Sequence, residues 1–156
     1  MANDGENAPI DRFDQLILAA LVEDGRMTVT DLARRVGLSK TPCQMRMRRL
    51  IDAGYIRGFR ANLDLAKLGL DHIAFVEVKL SDTREQALRA FNDAVRIIPE
   101  VEECHMIASR FDYLLKVRTA DMTRYRAVLG ERISALPHVA STSTFVAMET
   151  VLESDR

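Results

Sequence analysis

The chain has 156 residues and a mass of 17.6 kDa, which allows one domain of average size or two small ones. Its hydrophobic fraction of 47%, charged fraction of 29% and net charge of −1 are ordinary for a globular protein and argue against a disordered chain. No apolar run approaches the roughly 20 residues that span a bilayer. The polar start lacks a secretion signal, and Cys43 and Cys104 suggest no disulfide framework. We therefore expect a cytoplasmic protein with a disordered tail over residues 1–9.

The charge is distributed unevenly along the chain. Between Arg26 and Arg60, nine basic residues are opposed only by Asp31 and Asp52, so this segment carries a net charge of +7. From Leu65 onward, twelve basic and fourteen acidic residues leave a net charge of −2. This asymmetry indicates a polyanionic partner for the first part of the chain, although a basic, solvated helix surface would leave the same pattern.

Three short amphipathic helices are predicted within residues 10–64. The first follows Asp11, a helix-capping residue, and ends near Gly25. The second covers residues 28–36, opens with a sequence close to a capping box, and ends at Gly37. A four-residue turn then leads into the third helix.

The third helix is predicted to start at Ser39 or Thr41 and to end at Gly54. The alternating segment 55–63 resembles a short hairpin or wing. This order of elements describes a winged helix-turn-helix, whose third helix fits the major groove of DNA. The alternative to a DNA-binding domain is a small helical bundle with a basic surface. The candidate DNA-binding residues are Ser39, Lys40, Thr41, Gln44, Arg46, Arg48 and Arg49. Among them Gln44 suits adenine, whereas the arginines suit guanine or phosphates.

Residues 65–72 look like a linker, and a second domain is predicted over residues 73–156. Its elements are a strand at 73–80, a helix at 83–98, strands at 101–108 and 113–118, a helix at 121–136 and a strand at 139–152. The order βαββαβ is that of a ferredoxin-like fold, so the whole chain is assigned to the α+β class. Two helices cover one face of a four-stranded sheet. Because the other face also carries apolar residues, we expect a homodimer.

No arrangement of residues indicates catalysis. The three histidines, His72, His105 and His138, are scattered and match no metal-binding spacing. The sequence contains no glycine-rich phosphate loop. We therefore predict neither an enzyme nor a bound metal or cofactor.

Several segments resemble one family. Residues 14–18, 24–26, 31–33, 36–39, 46, 49–50 and 54–58 are similar to the winged helix-turn-helix of the Lrp/AsnC (feast/famine) transcription regulators. Residues 111–115 resemble the turn into the third strand of that family's effector domain. The resemblance covers nearly the whole chain. It implies double-stranded DNA as partner, dimers that assemble further into tetramers or octamers, and a small amino-acid effector bound in clefts between dimers.

The resemblance also assigns candidate effector-binding residues. They are Ile107, Ala108, Ser109, Arg110, Phe111 and Asp112, with Thr142 and Thr144 contributed by a neighbouring chain. The family usually has glycine near position 109, where this chain has Ser109 followed by Arg110, so specificity could be altered, ligand binding could be lost, or Arg110 could serve as a carboxylate clamp. Asp112 could hold the ammonium group of the effector or simply cap a turn.

A finer resemblance concerns the metabolic role. Residues 39–43 and 103–118 are similar to the subgroup that activates proline catabolism in proteobacteria, which implies proline as inducer and a proline dehydrogenase gene as target. Activation would also involve RNA polymerase. Two alternatives remain open at this point: an architectural protein that coats DNA without a specific operator, and a metabolite-binding oligomer whose helix-turn-helix serves contacts between chains.

Overall fold

The computed structural model describes residues 9–153, and its contacts divide the chain into two compact units. The first ends at Asn62, and the second runs from Leu63 to Glu153. The disordered tail predicted for residues 1–9 lies outside the described residues, apart from Pro9. No helix of the described part is long and apolar enough to cross a membrane.

Within residues 9–62, the first unit contains three helices: α1 (Arg12–Glu23), α2 (Val29–Val36) and α3 (Lys40–Asp52). Local capping chemistry accounts for most of their boundaries. The Asp11 carboxylate accepts a hydrogen bond from the Asp14 backbone N–H, and the Asp14 carboxylate accepts one from the Asp11 backbone N–H. Thr28 caps α2, and Gly37 ends it with a φ of +74°, a left-handed conformation that glycine adopts without strain.

Helix α1 ends at Glu23 with Asp24 as its C-cap, so it ends near Gly25 as predicted. One predicted detail of this unit is wrong. No strand is present in residues 55–63, where a hairpin or wing was predicted. Ile56 is half-buried against the helical core, but the other side chains of this segment are exposed. A two-stranded hairpin without a packed face is marginally stable, so the alternating pattern does not suffice to form one.

The first unit has a small core. Its buried side chains come from all three helices: Ile17, Ala20, Leu32, Ala33, Val36, Cys43 and Leu50. On α3, Cys43 and Leu50 are buried, whereas Ile51 is 40% exposed. The helices therefore pack through short, incomplete apolar faces.

The second unit has the predicted order of elements. They are β1 (His72–Leu80), α4 (Glu85–Val95), β2 (Val101–Met106), β3 (Tyr113–Thr119), α5 (Met122–Val128), a π-helical turn (Leu129–Ile133) and β4 (Val139–Val146). The sheet order is β2-β3-β1-β4, and every neighbouring pair is antiparallel. The βαββαβ prediction of a ferredoxin-like fold is confirmed.

Four predicted elements of this unit are longer than the observed ones. The helix expected over residues 83–98 is α4, which covers only Glu85–Val95. Strand β4 was expected to reach residue 152 but ends at Val146, which pairs with Ala74 of β1. Since β1 begins only two residues before Ala74, at His72, it has no partners for residues 149–152. Strand β2 ends at Met106 instead of residue 108. The helix expected over residues 121–136 is α-helical only to Val128 and then widens into the π-helical turn.

The two faces of the sheet differ. Helices α4 and α5 cover one face with the core residues Ala74, Val76, Val78, Leu80, Phe91, Val95, Ile98, Tyr113, Leu115, Val117, Tyr125, Val128, Ile133 and Leu136. The opposite face, which we call the open face, has no covering element within this unit. Strand alternation places Phe75, Glu77 and Lys79 of β1 on it.

Candidate functional site

The first candidate site is the exposed side of α3. Lys40, Gln44 and Arg48 are spaced four residues apart and therefore form one row along the helix, which we call the recognition row. All three side chains are exposed, and that of Arg48 is 83% exposed. Its Nε lies 3.9 Å from Asp52 Oδ2, a distance too long for a hydrogen bond. The row therefore presents free cationic and amide groups to solvent.

Ser39 and Thr41 flank the start of this row. Both are exposed, and the Ser39 side chain forms no capping hydrogen bond although Ser39 is the N-cap residue of α3. Its hydroxyl is therefore not committed to the helix. Unpaired backbone N–H groups at a helix N-terminus also favour anions such as phosphates. This end of α3 has the donors that contact with a DNA backbone requires.

The other two predicted arginines of α3 have a different environment. The Arg46 guanidinium lies 2.6 Å from Asp11 Oδ2 and 3.0 Å from Asp14 Oδ1, and Arg49 donates a hydrogen bond to Asp14 Oδ2. The guanidinium of Arg46 also lies over the Phe13 ring, 5.5 Å from its centroid. The structure therefore separates Arg46 and Arg49, which face α1, from the recognition row.

The ionisation of this cluster follows from its hydrogen bonds. The backbone N–H of Asp14 and the guanidinium of Arg46 hold the pKa of Asp11 below its ordinary value. Hydrogen bonds to Asp11 and Asp14 raise the pKa of Arg46 in turn. Both partners are therefore charged at neutral pH, and the contact is an ion pair.

The second candidate site involves the loop between β2 and β3. Backbone hydrogen bonds close this loop: the Ile107 N–H donates to the Asp112 carbonyl over 2.9 Å, and the Asp112 N–H donates to the Val78 carbonyl over 2.9 Å. Ala108 and Ser109 are exposed at its tip. Among the described non-glycine residues only His138 has a positive φ, so the loop closes without the conformational freedom that glycine would provide at Ser109.

Asp112 supports this loop from within the structure. Its carboxylate accepts hydrogen bonds from the Leu80 backbone N–H at 2.8 Å and from Lys79 Nζ at 3.1 Å, and its side chain is only 16% exposed. The Leu80 hydrogen bond, followed by the contact with Lys79, lowers the pKa of Asp112. Since both carboxylate oxygens are engaged, the geometry favours the structural interpretation of Asp112 over direct binding of an ammonium group.

A cavity lies on the open face beside this loop. Its volume is about 340 Å³, and its walls are formed by Glu77, Lys79, Arg110, Phe111, Ser141 and Ser143. Arg110 Nη2 lies 3.5 Å from Glu77 Oε1, and the Glu77 side chain is only 16% exposed. The cavity therefore places a half-buried carboxylate, two cationic groups, an aromatic ring and two hydroxyls around one space. We call it the open-face cavity.

The structure does not bring Thr142 and Thr144 to this cavity. Thr142 pairs with Val78 and Thr144 with Val76, so both point to the helix-covered face, and the Thr144 hydroxyl lies 2.5 Å from the Tyr125 hydroxyl. Their neighbours Ser141 and Ser143 face the cavity instead. The sequence analysis missed these serines, together with Glu77 and Lys79. Strand alternation is the signal that could have grouped them, once the buried face of β1 had been assigned.

The described residues contain no group of three or more His, Cys, Asp or Glu side chains that could hold a metal ion. The polar groups of both candidate sites are hydroxyls, an amide, carboxylates and cations. Such groups can bind DNA or a small zwitterion by hydrogen bonds and charge.

Comparisons with known proteins relate both units to one family. The family model "Lrp/AsnC ligand binding domain" matches residues 73–156, and a winged helix-turn-helix DNA-binding model matches residues 10–57. The proline dehydrogenase transcriptional activator of Rhizobium radiobacter is 67% identical over 153 residues, covering 98% of each chain.

Solved structures give the same relationship. An AsnC family transcriptional regulator from Agrobacterium tumefaciens superimposes with a TM-score of 0.87 at 33% identity, over 94% of this chain and 95% of the other. A transcriptional regulator from Neisseria meningitidis, solved as an L-Met complex, superimposes with a TM-score of 0.85 at 29% identity, over 94% and 95% of the two chains. The likeness therefore extends over both units.

Proposed function

Because the chain belongs to the Lrp/AsnC family of transcription regulators, we propose that it reads DNA with α3 and changes its DNA binding when an amino acid occupies the second unit. Family membership confirms the predicted resemblance and the predicted class of protein, a DNA-binding transcriptional regulator with a ligand-binding domain. The family and the relatives are regulators of transcription, which also confirms that the chain is not an enzyme.

The recognition row carries the proposal for DNA. A helix fits the major groove, and residues near its N-terminus reach base edges. Gln44 would read a base through its amide, Arg48 would bind a phosphate or guanine, and Lys40, with the hydroxyls of Ser39 and Thr41, would fix the helix on the backbone. The exposure of all these groups along one side of α3 is the supporting observation.

The open-face cavity carries the proposal for the effector. A free amino acid has a carboxylate and an ammonium group a few ångströms apart, and the cavity offers opposite charges for both. Arg110 and Lys79 would bind the carboxylate, Glu77 the ammonium group, and Phe111 the apolar part of the side chain. Arg110 would thus serve as the carboxylate clamp, while Asp112 holds Lys79 and the loop in place.

Proline is the effector that we propose, with a proline dehydrogenase gene as target. This rests on the name of the Rhizobium radiobacter relative, which is identical at two thirds of the aligned positions. A volume of about 340 Å³ accommodates an amino acid of that size together with water.

A second copy of the chain is the partner that we propose for the open face. Phe75 of β1 and Phe145 of β4 pair across the two strands and are 37% and 50% exposed. An exposed aromatic pair on an uncovered sheet is typical of an interface. Because the open-face cavity lies further along the same two strands, a second copy seated there would add a wall to it. Ligand binding and assembly would then be coupled.

The DNA proposal is tested by fluorescence anisotropy on duplexes from upstream of the chain's own gene and its neighbours, with random-sequence DNA as reference. Gln44→Ala should reduce the preference for a specific site more than the affinity for random DNA. The matched control is Val22→Ala, an exposed change on α1 away from the recognition row. Equal, weak binding of the wild type to all duplexes would favour an architectural protein or a metabolite-binding oligomer instead.

The effector proposal is tested by isothermal titration calorimetry with proline, leucine and methionine. Glu77→Gln and Arg110→Gln should each weaken proline binding at least tenfold, because each removes one charge that pairs with the zwitterion. Arg89→Gln is the control, since Arg89 pairs with Glu85 on the surface of α4. Unchanged proline binding in both cavity variants would place the effector elsewhere.

A further inference from the structure

Asp14 is a fully buried carboxylate in a unit with a small core. Its Oδ2 accepts hydrogen bonds from the Asp11 N–H at 2.9 Å and from Arg49, and its Oδ1 accepts one from Arg46 at 3.0 Å. Burial of a carboxylate is costly unless charged partners and hydrogen bonds satisfy it. The two arginines are the cations that compensate this charge, so both are committed to α1.

The two arginines also lie on a different side of α3 from the recognition row. At about 100° of rotation per residue, the centre of the row formed by Lys40, Gln44 and Arg48 lies roughly 170° around the helix from the midpoint between Arg46 and Arg49. The exposed fractions of the side chains agree: 28% for Arg46 and 46% for Arg49, against 83% for Arg48. Basic residues of α3 that look equivalent in sequence therefore form two groups.

We propose that Asp14 is a positioning residue for DNA recognition. It withholds Arg46 and Arg49 from DNA, and by holding α3 at two points three residues apart it sets the rotation of this helix about its own axis. The recognition row then points away from α1 and toward the groove. This inference rests on the proposed role of α3, but it makes a separate statement about which cations contact DNA.

The stacked position of Arg46 supports the same assignment. Its guanidinium is held by Asp11, Asp14 and the face of Phe13 at the same time. Moving Arg46 to a phosphate would break all three contacts and leave Asp14 with fewer partners in a buried site. Phosphate binding by Arg48 would break only a weak contact with Asp52.

The test is the salt dependence of binding to a random-sequence duplex, which reports the number of phosphates that the protein neutralises. Each lost phosphate contact reduces the slope of log K against log salt concentration by about 0.9. We expect Arg48→Gln to reduce the slope by about this amount. Arg46→Gln and Arg49→Gln should leave the slope unchanged while lowering the melting temperature. A slope reduced equally by Arg49→Gln and Arg48→Gln would overturn the proposal.

Asp14→Asn provides the reciprocal measurement. It keeps the side-chain shape and one acceptor but removes the charge that holds the arginines. We expect a steeper salt slope, by about 0.9 for each arginine that then reaches a phosphate, together with a smaller ratio of specific to random binding. A purely structural role of Asp14 would reduce the fraction of active protein without steepening the slope, and that result would overturn the proposal.

The outcomes of this test can be distinguished from those of the DNA-binding test described above. If Asp14→Asn does not fold by circular dichroism, the slopes of the Arg46→Gln and Arg49→Gln variants decide the question. If the wild type binds no duplex at any salt concentration, the DNA-binding proposal for α3 fails, whereas wild-type binding with equal slopes for all three arginine variants refutes only the role of Asp14.

Discussion

The interiors of the two units are stabilised by different kinds of contact. The second unit buries a cluster of fourteen hydrophobic residues between a sheet and two helices, whereas the first buries a cluster of seven and places a charged carboxylate beside it. The helices of the second unit leave one face of the sheet uncovered, and this face carries both the polar groups of the open-face cavity and the Phe75–Phe145 pair. In the smaller unit, the same polar contacts that join α1 to α3 also determine which side chains face outward. Stability and recognition are therefore more closely linked in the first unit.

The largest expected effects separate the two cores. Ile17 and Phe91 are both fully buried, one in each unit. Ile17→Ala should destabilise the first unit by about 3 kcal/mol and Phe91→Ala the second by about 4 kcal/mol, because each leaves a cavity. Chemical denaturation monitored by amide hydrogen exchange should show a loss of amide protection that is confined to the mutated unit. If both variants shift one common transition equally, the units unfold together and the contrast fails.

The next effect concerns the buried carboxylate. Removing both partners with Arg46→Ala and Arg49→Ala leaves the buried Asp14 carboxylate without its cationic partners, which should cost about 3 kcal/mol of unfolding free energy. Asp14→Ala alone should cost less, since the two half-exposed arginines can regain water. Adding Asp14→Ala to the double arginine variant should restore part of the stability, as measured by urea denaturation. A further loss in the triple variant would show that Asp14 has other essential partners.

A smaller effect is expected at the loop of the second unit and depends on pH. The pKa of Asp112 is lowered in the folded state, so its contribution is fully present above the ordinary value of 3.8 and is lost as the pH falls through the folded-state pKa. Asp112→Asn should cost about 1.5 kcal/mol at pH 7, because hydrogen bonds to a charged group are lost.

Thermal unfolding of the wild type and Asp112→Asn between pH 7 and pH 2 measures this difference. The two melting temperatures should converge as the pH falls below 3.8, since the wild-type carboxyl becomes neutral as well. A difference that persists at the lowest pH would show that the side chain acts by shape and not by charge.

The smallest effect contrasts two glycines. An added Cβ meets nothing within 4 Å at either Gly37 or Gly130, but only Gly37 has a positive φ. Gly37→Ala should therefore destabilise the first unit by about 1 kcal/mol, whereas Gly130→Ala should stabilise the second by up to about 1 kcal/mol. Denaturation midpoints of the two variants measure this difference. A loss of stability in both would mean that the π-helical turn itself requires glycine.

Much of the fold could be predicted because its signals are local. Asp11 was identified as a helix cap, the start of the second helix as close to a capping box, and Gly37 as a helix end, from their residue types and neighbours; the structure confirms all three. The sheet topology followed from the order of the elements alone. The wing could not be predicted reliably, because whether residues 55–63 form a hairpin depends on packing that alternation does not report.

The candidate sites were predicted less completely, for two reasons. Along β4, alternation separates two sets of residues but does not state which set faces the helices. Thr142 and Thr144 were predicted as contacts from a neighbouring chain and stay a prediction, whereas Ser141 and Ser143 of the same chain line the open-face cavity. On α3, the arginines share one sequence signal. Their division depends on Asp14, more than thirty residues earlier in the chain.

The sequence by itself determined the family, the two units and the type and order of their regular elements, because caps, periodicity and breakers act over a few residues. Only the tertiary structure decided which cations are free, which side of a strand meets the cavity and where the last strand ends. Each of these depends on a partner distant in sequence: the carboxylate of Asp14 for the cations, and the pairing with β1 for the last strand. The local sequence determines which hydrogen bonds and charge interactions a side chain can make. The groups packed against that side chain then decide whether it makes them inside the protein or with a ligand.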